Sequence, residues 1–579
     1  MSENIIETNK NGTAGTEKPE KKHSGLSRIL NKYFHHIDRG GSMKSEITAG
    51  CLMCILSVCG MFMNMQLITT MTVSGPYAGA TVEQIAANGE IIAGTYFISM
   101  LIAFLGSLAI GLIARLPLVQ VSGLGLSTVM ISLVGTKSGL TYYNLLAVCF
   151  VSAILYAVAV SLPFVRKFLF KAIPASVRKA VPAAVGVMIA FVGLQLSGIV
   201  TVNGSSLPAY GAGTELGAAS DSVGLSGFLG ISLFNYSTDR FHPTLLLCCI
   251  SALLAIVLIF IFKARKAKHP YLWSLLISTA FLIVTCVLTV AINWKMMKIS
   301  FDSLLGRAWM IGSEDAMQTH LSAVFSNFSF GKVFREGFDF SAYTAAGGSV
   351  FLLFVTGVLT MLFAFSCHNE ATLTAVYNDA GLGEADRKAR RLALMCNAGM
   401  NIAAPLFGGS PVSIGQESCA GAGDNAKSGL ASVAASVGFF LSMFVWIIPA
   451  VFVTATSSQI QMNLYGHHGK VLQLLTECSF GIADAVMVIV GLSMVKHSMD
   501  IDWKNSSSSV SLVATIAGTF FLSNVAYGVA LGCVAYTLLE VLKAPAEGRT
   551  KKECLRAVGI PAYLAALVSL LMLIFAALL

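Results

Sequence analysis

The feature that most constrains this chain is the recurrence of long apolar runs without charge. Ile91 to Ala114, Ser138 to Val165, Phe241 to Phe262 and His269 to Trp294 contain no Asp, Glu, Lys or Arg. Each is long enough to cross about 30 Å of hydrocarbon as a helix. Lipid offers no hydrogen bonds, so a spanning segment must satisfy its own backbone, and an apolar run of this length does so as a helix. Composition agrees: 55% of the 579 residues are hydrophobic and 12% are charged, roughly half the charged share of a soluble domain. The expected fold class is an all-α polytopic membrane protein.

Apolar spans are predicted near 46–68, 91–114, 119–135, 144–165, 180–200, 243–262 and 272–294. A second set falls near 348–368, 392–407, 410–422, 429–449, 479–495, 508–523 and 524–543. Fourteen transmembrane segments divide as seven plus seven. An odd number per half turns the second half upside down, the inverted repeat common among secondary transporters. The expected organisation is a polar, disordered tail over 1–44, a first repeat over 45–300 and an extramembrane loop over 301–345. A second repeat over 346–543 comes next, then a basic loop and C-terminal apolar helix over 544–579. The run Ile560 to Leu579 spans, lies flat or caps the bundle; the sequence leaves all three open.

Lys and Arg gather in the tail up to Lys44 and in Arg166–Lys179, Lys263–Lys268, Arg387–Arg391 and Lys543–Arg556. By the positive-inside rule this places the N-terminus in the cytoplasm of a cell-membrane protein surrounded by lipid. The net charge of +9 therefore belongs to short loops and does not point to nucleic acid. No cleavable signal peptide is apparent. The thirteen cysteines stand singly apart from Cys51 and Cys54, which lack a second pair to complete a metal site. No Walker A sequence, HExxH, nucleophile elbow or dinucleotide fingerprint occurs. The chain is read as a non-enzyme without metal or cofactor.

Two spans are broken in corresponding places. The third reads PLVQVSGLGLSTVM from Pro117 to Met130, and the tenth reads PLFGGSPVSIGQES from Pro405 to Ser418. Both open with Pro-Leu, and Gly and Ser interrupt both. A matched pair of interrupted spans is the best sequence pointer to a transport site. Broken helices free backbone groups that lipid cannot satisfy, so they occur where protein or a polar solute satisfies them. Freed N–H groups are expected around Gly123–Gly125 and Gly409–Ser410, with half-helix dipoles beside them.

Ionisable residues lie at the same depth. Glu417 stands in the tenth span, where a charge costs roughly 2.5–3.5 kcal/mol on insertion scales. It faces a solute, or it snorkels to water or pairs with Lys427. His368 and Glu370 come after about twenty apolar residues of the eighth span; either is a candidate proton acceptor, His because its unperturbed pKa is near 6.5. Asn64 and Gln66 lie deep in the first span, as ligands or as interhelical glue. Asn397 and Asn401 of the ninth span read as packing contacts. Asp484 pairs with a neighbouring helix or caps one.

These motifs resemble the nucleobase:cation symporter-2 family, in particular its hypoxanthine/guanine/adenine permease branch, from about Ser45 to Leu542. VSGLGLSTVM (Val121–Met130) is similar to that branch's APGMGLNAFF, and GVMIAFVGLQLSGIV (Gly186–Val200) is close to the end of its fifth span. ATLTAVYNDAGL (Ala371–Leu382) is similar to GTLxGVxxxAGL, and GGSPVSIGQES followed by AGAGDNAKSGL to GTSTxTxxxES and AGxxxGGRTGL. IDWKN (Ile501–Asn505) is also family-like. There are departures. The branch's third-span Asn is Ser127 here, its eighth-span Asp falls on His368, its ninth-span Asp on Asn397 and an Arg on Lys427. The Asn of its first-span VNP is Asn64, followed by Met65 in place of Pro. The tenth-span Glu is kept as Glu417.

The resemblance implies proton- or sodium-coupled symport of a purine base or analogue. It also implies a core domain that moves against a gate domain, in a homodimer. The substrate would lie between the third and tenth spans, touching Glu417, His368, Glu370, Ser127, Gly125, Gly409, Ser410 and Asn64. His368 or Glu370 would carry the coupled proton. The departures point to a base outside the usual set, such as an oxidised purine. Two rival readings are an anion carrier on the same scaffold, which Glu417 disfavours, and a membrane sensor without transport.

Overall fold

The computed structural model describes residues 25–74, 82–132, 140–164, 172–197, 199–201, 230–231, 243–292, 331–345, 347–382, 387–444, 470–496, 503, 505–522, 524–546 and 558–578. The chain is a multi-pass helical membrane protein, and every expected span has a helix within it. In chain order these are α1 (Gly25–Phe34), α2 (Met43–Ser74), α3 (Val82–Ala109), α4 (Leu124–Ser132), α5 (Tyr142–Ser161) and α6 (Ala175–Leu196). Next are α7 (Pro243–Ala264), α8 (Pro270–Ile292), the short α9 (Ser341–Ala345), α10 (Val350–Asp379) and α11 (Arg387–Leu406). The last are α12 (Glu417–Gly423), α13 (Gly429–Ser442), α14 (Lys470–Lys496), α15 (Ser506–Phe521), α16 (Val525–Ala546) and α17 (Ile560–Leu578). Among the described residues, α2, α3 with the π turn that ends it, α5, α6, α10 and α16 are long and apolar enough to cross a membrane. Shorter apolar helices accompany them in α7, α8, α13, α15 and α17.

Helix ends within an apolar bundle need partners for their free N–H groups. Thr141 and Asn144 form a reciprocal capping box on α5. Ser349 caps α10 and Asn505 caps α15. The Asp424 carboxylate accepts from the Tyr271 and Leu272 amides at 3.2 and 3.3 Å and so caps α8 from a distant part of the chain.

The helices pack as two sets. α2, α3, α4, α5, α10, α11, α12 and α13 lie against one another; α6, α7, α8, α14, α15 and α16 form the second set. α10 touches α6 and α16, while α2 and α12 touch α14, so these helices join the sets. α6 and α14, which hold the fifth and twelfth expected spans, meet at glycine on glycine. A Cβ on Gly186 would collide with the Gly491 carbonyl oxygen, and one on Gly491 with that of Gly186. Only glycine allows two backbones this close.

One sequence expectation changes, at the N-terminal end. The tail is not uniformly disordered: Gly25–Phe34 is helical, and its last turn and the segment up to Arg39 dock on the bundle. Tyr33 donates to the Leu112 carbonyl at 2.9 Å, and Arg39 donates to those of Arg115 and Lys427 at 2.9 and 3.2 Å. Residues 1–24 lie outside the described residues, as do most of the loops near 201–240 and 299–345 and most of IDWKN. At the other end, Ile560–Leu578 is a helix packed on α16 and α10.

Candidate functional site

The two broken spans meet. Besides the small pair β2 (Val200–Thr201) and β3 (Gly230–Ile231), β1 (Gln120–Val121) pairs antiparallel with β4 (Ser413–Ile414), Gln120 opposite Ile414 and Val121 opposite Ser413. The Gly415 amide donates to the Val119 carbonyl at 2.9 Å. Each strand runs directly into a short helix, β1 into α4 and β4 into α12. Upstream, α11 ends at Leu406 and the chain turns at Gly408, whose φ of +81° suits glycine.

Buried side chains satisfy the backbone that these breaks release. On the first strand, Gln120 N donates to Ser107 Oγ at 2.9 Å, Val119 N to Ser418 Oγ at 3.0 Å and Leu118 N to Ser432 Oγ at 2.8 Å. On the second, Ile414 N donates to Asn369 Oδ1 at 2.7 Å and Val412 N to Asn401 Oδ1 at 2.8 Å. The Val412 carbonyl accepts from Asn401 and Asn397 at 2.6 and 3.2 Å. Asn397 and Asn401 are thus clamps on β4 rather than simple packing contacts. Sequence reasoning gave no role to Gln120 or Asn369, the other buried amides of this network, although Asn369 stood out with His368 and Glu370 as polar residues in the eighth span. Their only signal was an amide side chain within an otherwise apolar span.

Around this crossing lie buried polar atoms with no hydrogen-bond partner: Asn64 Oδ1 on α2, Ser127 Oγ on α4, both ring nitrogens of His368 on α10 and Glu417 Oε2 on α12. The helices that carry them touch: α2 and α10 each pack on both α4 and α12. Asn64 donates to Ser410 Oγ at 3.1 Å and Ser122 Oγ at 3.3 Å, which ties α2 to both broken segments. A Cβ at Gly125 would stand 2.7 Å from His368 Cε1, and one at Gly60 would lie 3.4 Å from Glu417 Oε1. Gln416 approaches the His368 ring without reaching hydrogen-bond geometry. Leaving a buried polar group unpaired costs about 1–3 kcal/mol. Here acceptors, a hydroxyl and an imidazole gather in one place, a set suited to a planar solute with N–H donors and ring acceptors on its edge.

Not every expected residue is brought in. Glu370 lies two positions beyond His368, and at about 100° per residue the two point to opposite sides of the helix. Its side chain is 46% exposed and pairs with Arg390 at 2.7 Å, so Glu370 is not beside His368. Gly409 already uses its N–H, which donates to the Ala404 carbonyl at 2.8 Å, and its Cβ direction is filled by Ile98 and Ile102. It is therefore not a free donor. Lys427 donates to the Ala380 carbonyl at 2.5 Å and does not pair with Glu417. Asp484 is no helix cap: it lies inside α14, 6% exposed, with Oδ2 unpartnered. The Gln66 side chain lies outside the described residues.

Curated proteins match this chain over most of its length. The guanine/hypoxanthine permease PbuG of Bacillus subtilis (strain 168) is 23% identical over 519 residues, 90% of this chain and 95% of that protein. The chain resembles the nucleobase:cation symporter-2 family over most of its length. The adenine permease AdeP of Escherichia coli (strain K12) is 20% identical over 519 residues, 89% of this chain and 91% of that protein. These permease relatives are named as transporters, not enzymes. No family model matches. The transmembrane domain of a cyanobacterial bicarbonate transporter, BicA, matches over 83% of this chain and 96% of that domain, at 12% identity and a TM-score of 0.40.

Proposed function

We propose that this chain is a secondary active transporter that imports a purine base or purine analogue across the cell membrane by proton symport. Its relatives support nucleobase transport. The observation that carries the finer reading is the buried, unpartnered Glu417 carboxylate beside the crossing of the two broken spans. A carboxylate accepts two neighbouring N–H groups in a charge-assisted pairing, and a purine edge offers such pairs. Asn64, Ser127, Ser410 and His368 supply further polar contacts. His368 stands where the family's carboxylate is expected, so it serves the base with an imidazole and selects an analogue different from the usual purines. The set of helices bearing this site moves against the set built on α6 and α14, in a homodimer whose N-termini face the cytoplasm.

The test is uptake of labelled purines by cells expressing the chain. Glu417→Gln should abolish uptake while the protein still reaches the membrane; full uptake by that variant refutes the assignment. A thermal-shift screen of purines and oxidised analogues against the purified protein identifies the base, because a ligand that binds only the folded state raises its stability.

A further inference from the structure

The short helix α1 leaves one face uncovered beside the end of a spanning segment. Its inner side is engaged: Phe34 is buried, and the buried Ser27 hydroxyl hydrogen-bonds the His36 ring at 3.2 Å. Its outer side carries Arg28, Ile29, Lys32 and Tyr33, all exposed, Ile29 by 66%. Residues four apart share a helix face. Arg28 and Lys32 therefore form a basic row, with Ile29 and Tyr33 as an apolar row next to it. Among the described residues no carboxylate pairs with Arg28 or Lys32. Adjacent basic and apolar rows are the pattern of a helix that lies in a membrane surface.

The contacts of α1 fix its depth. The span that contains α3 and its π turn ends at Ala114. Tyr33 donates to the Leu112 carbonyl at 2.9 Å, just inside that end. Leu112 and Ile113 are themselves exposed, as residues facing lipid are. Arg115, the first residue beyond the span, lies over the Tyr33 ring at 4.2 Å. A tyrosine at the end of a span, stacked under a guanidinium, stands at headgroup level. The apolar row of α1 thus runs on into the lipid-facing Leu112 and Ile113. Arg39 ties this corner to the Arg115 and Lys427 carbonyls, so Arg39, Lys44, Arg115 and Lys427 all belong to the same end of the bundle.

We infer that α1 is an interfacial anchor whose outer face binds anionic phospholipid. Ile29 and Tyr33 enter the boundary of the acyl region, and Arg28, Lys32 and Arg115 hold the headgroup phosphates. Charge complementarity selects the lipid: a neutral surface leaves this row of cations without counter-charge, whereas guanidinium and phosphate make strong charge-assisted hydrogen bonds. Through Tyr33 and Arg39 the anchor fixes the end of α3 and the start of α13, two helices of the set that carries the candidate site. The inference is independent of which solute the chain carries.

The test is amide hydrogen exchange over residues 25–34 of the full-length protein in lipid vesicles. One set of vesicles is phosphatidylcholine alone; the other contains phosphatidylglycerol as well. A basic residue near an anionic surface is worth about fivefold in partitioning. Two such residues should therefore slow exchange of α1 on the order of tenfold in the anionic vesicles. The double variant Arg28→Gln/Lys32→Gln should exchange at one rate in both. Exchange across α5, far from the substituted surface, serves as the folding control and should not change. Equal rates for the wild type in the two vesicles would overturn the proposal, as would lipid-dependent slowing retained by the double variant. Three further arms address other occupants. Inorganic phosphate added to neutral vesicles should leave exchange unchanged; slowing there would mean a free-anion site. Slowing that follows the protein-to-lipid ratio instead of the phosphatidylglycerol content would place a second copy on this face. Deletion of residues 1–24 should leave the lipid effect intact; faster exchange of that variant in neutral vesicles would mean that the tail covers α1. Each of these three contrary results overturns the lipid assignment.

Discussion

Asn369 donates to Asn397 Oδ1 at 2.8 Å across α10 and α11. The same Asn369 accepts from the Ile414 amide at 2.7 Å, so one side chain closes both an interhelical contact and a strand backbone. Asn369→Ala leaves the Ile414 N–H buried and unmatched, at a cost of about 1–3 kcal/mol. The expected outcome is a lower denaturation midpoint in detergent together with lost uptake. An unchanged midpoint would show that β4 does not depend on this clamp.

Gly125 and His368 form a coupled pair. A Cβ at Gly125 meets the imidazole at 2.7 Å, so Gly125→Ala must displace the ring. Apparent affinity should fall on the order of tenfold, about 1.4 kcal/mol. Because the harm passes through His368, Gly125→Ala should add little in a His368→Ala background. Additive losses in the double variant would mean that the two residues act separately.

Glu370 supplies the contrasting case. Its pair with Arg390 is partly exposed, and such pairs contribute about 0–1 kcal/mol. Glu370→Gln should keep both uptake and its pH profile. A shifted pH profile would return Glu370 to the coupling machinery.

Asp424 lies between α12 and α13, outside the spanning segments. Burial pushes its carboxyl from 3.8 up to about 6, against the opposing pull of the Tyr271 and Leu272 amides. A folded-state value above the unfolded one means that stability from this group is complete below about pH 4 and is lost as pH rises through about 6. Asp424→Asn keeps one acceptor for the α8 cap and removes the titration. Between about pH 4 and 7 the midpoint of the wild type should fall relative to that of the variant. Parallel curves would exclude Asp424 as the source.

Much of the fold was legible because lipid allows so few solutions. Runs such as Ser138 to Val165 had to be helices, and the paired Pro-Leu starts at Pro117 and Pro405 marked the two breaks. Glu417 was legible for the same reason, as a carboxylate out of place among apolar neighbours. Side-chain direction was harder to read. His368 and Glu370 look alike in sequence, yet helical rotation sends one inward and the other to Arg390. Gly409 read as a freed donor, but the turn after α11 had already engaged its N–H.

The sequence by itself determined a helical membrane chain with two interrupted spans and a carboxylate inside one of them, because hydrophobic length and backbone satisfaction are local requirements. Only the tertiary structure decided that the breaks cross as strands and that Asn369, Asn397 and Asn401 serve the backbone. Those relationships join residues as many as 294 positions apart, as Gln120 and Ile414 are (414 − 120 = 294). Nothing local specifies such a pairing; it comes from which faces of the helices must be buried against each other.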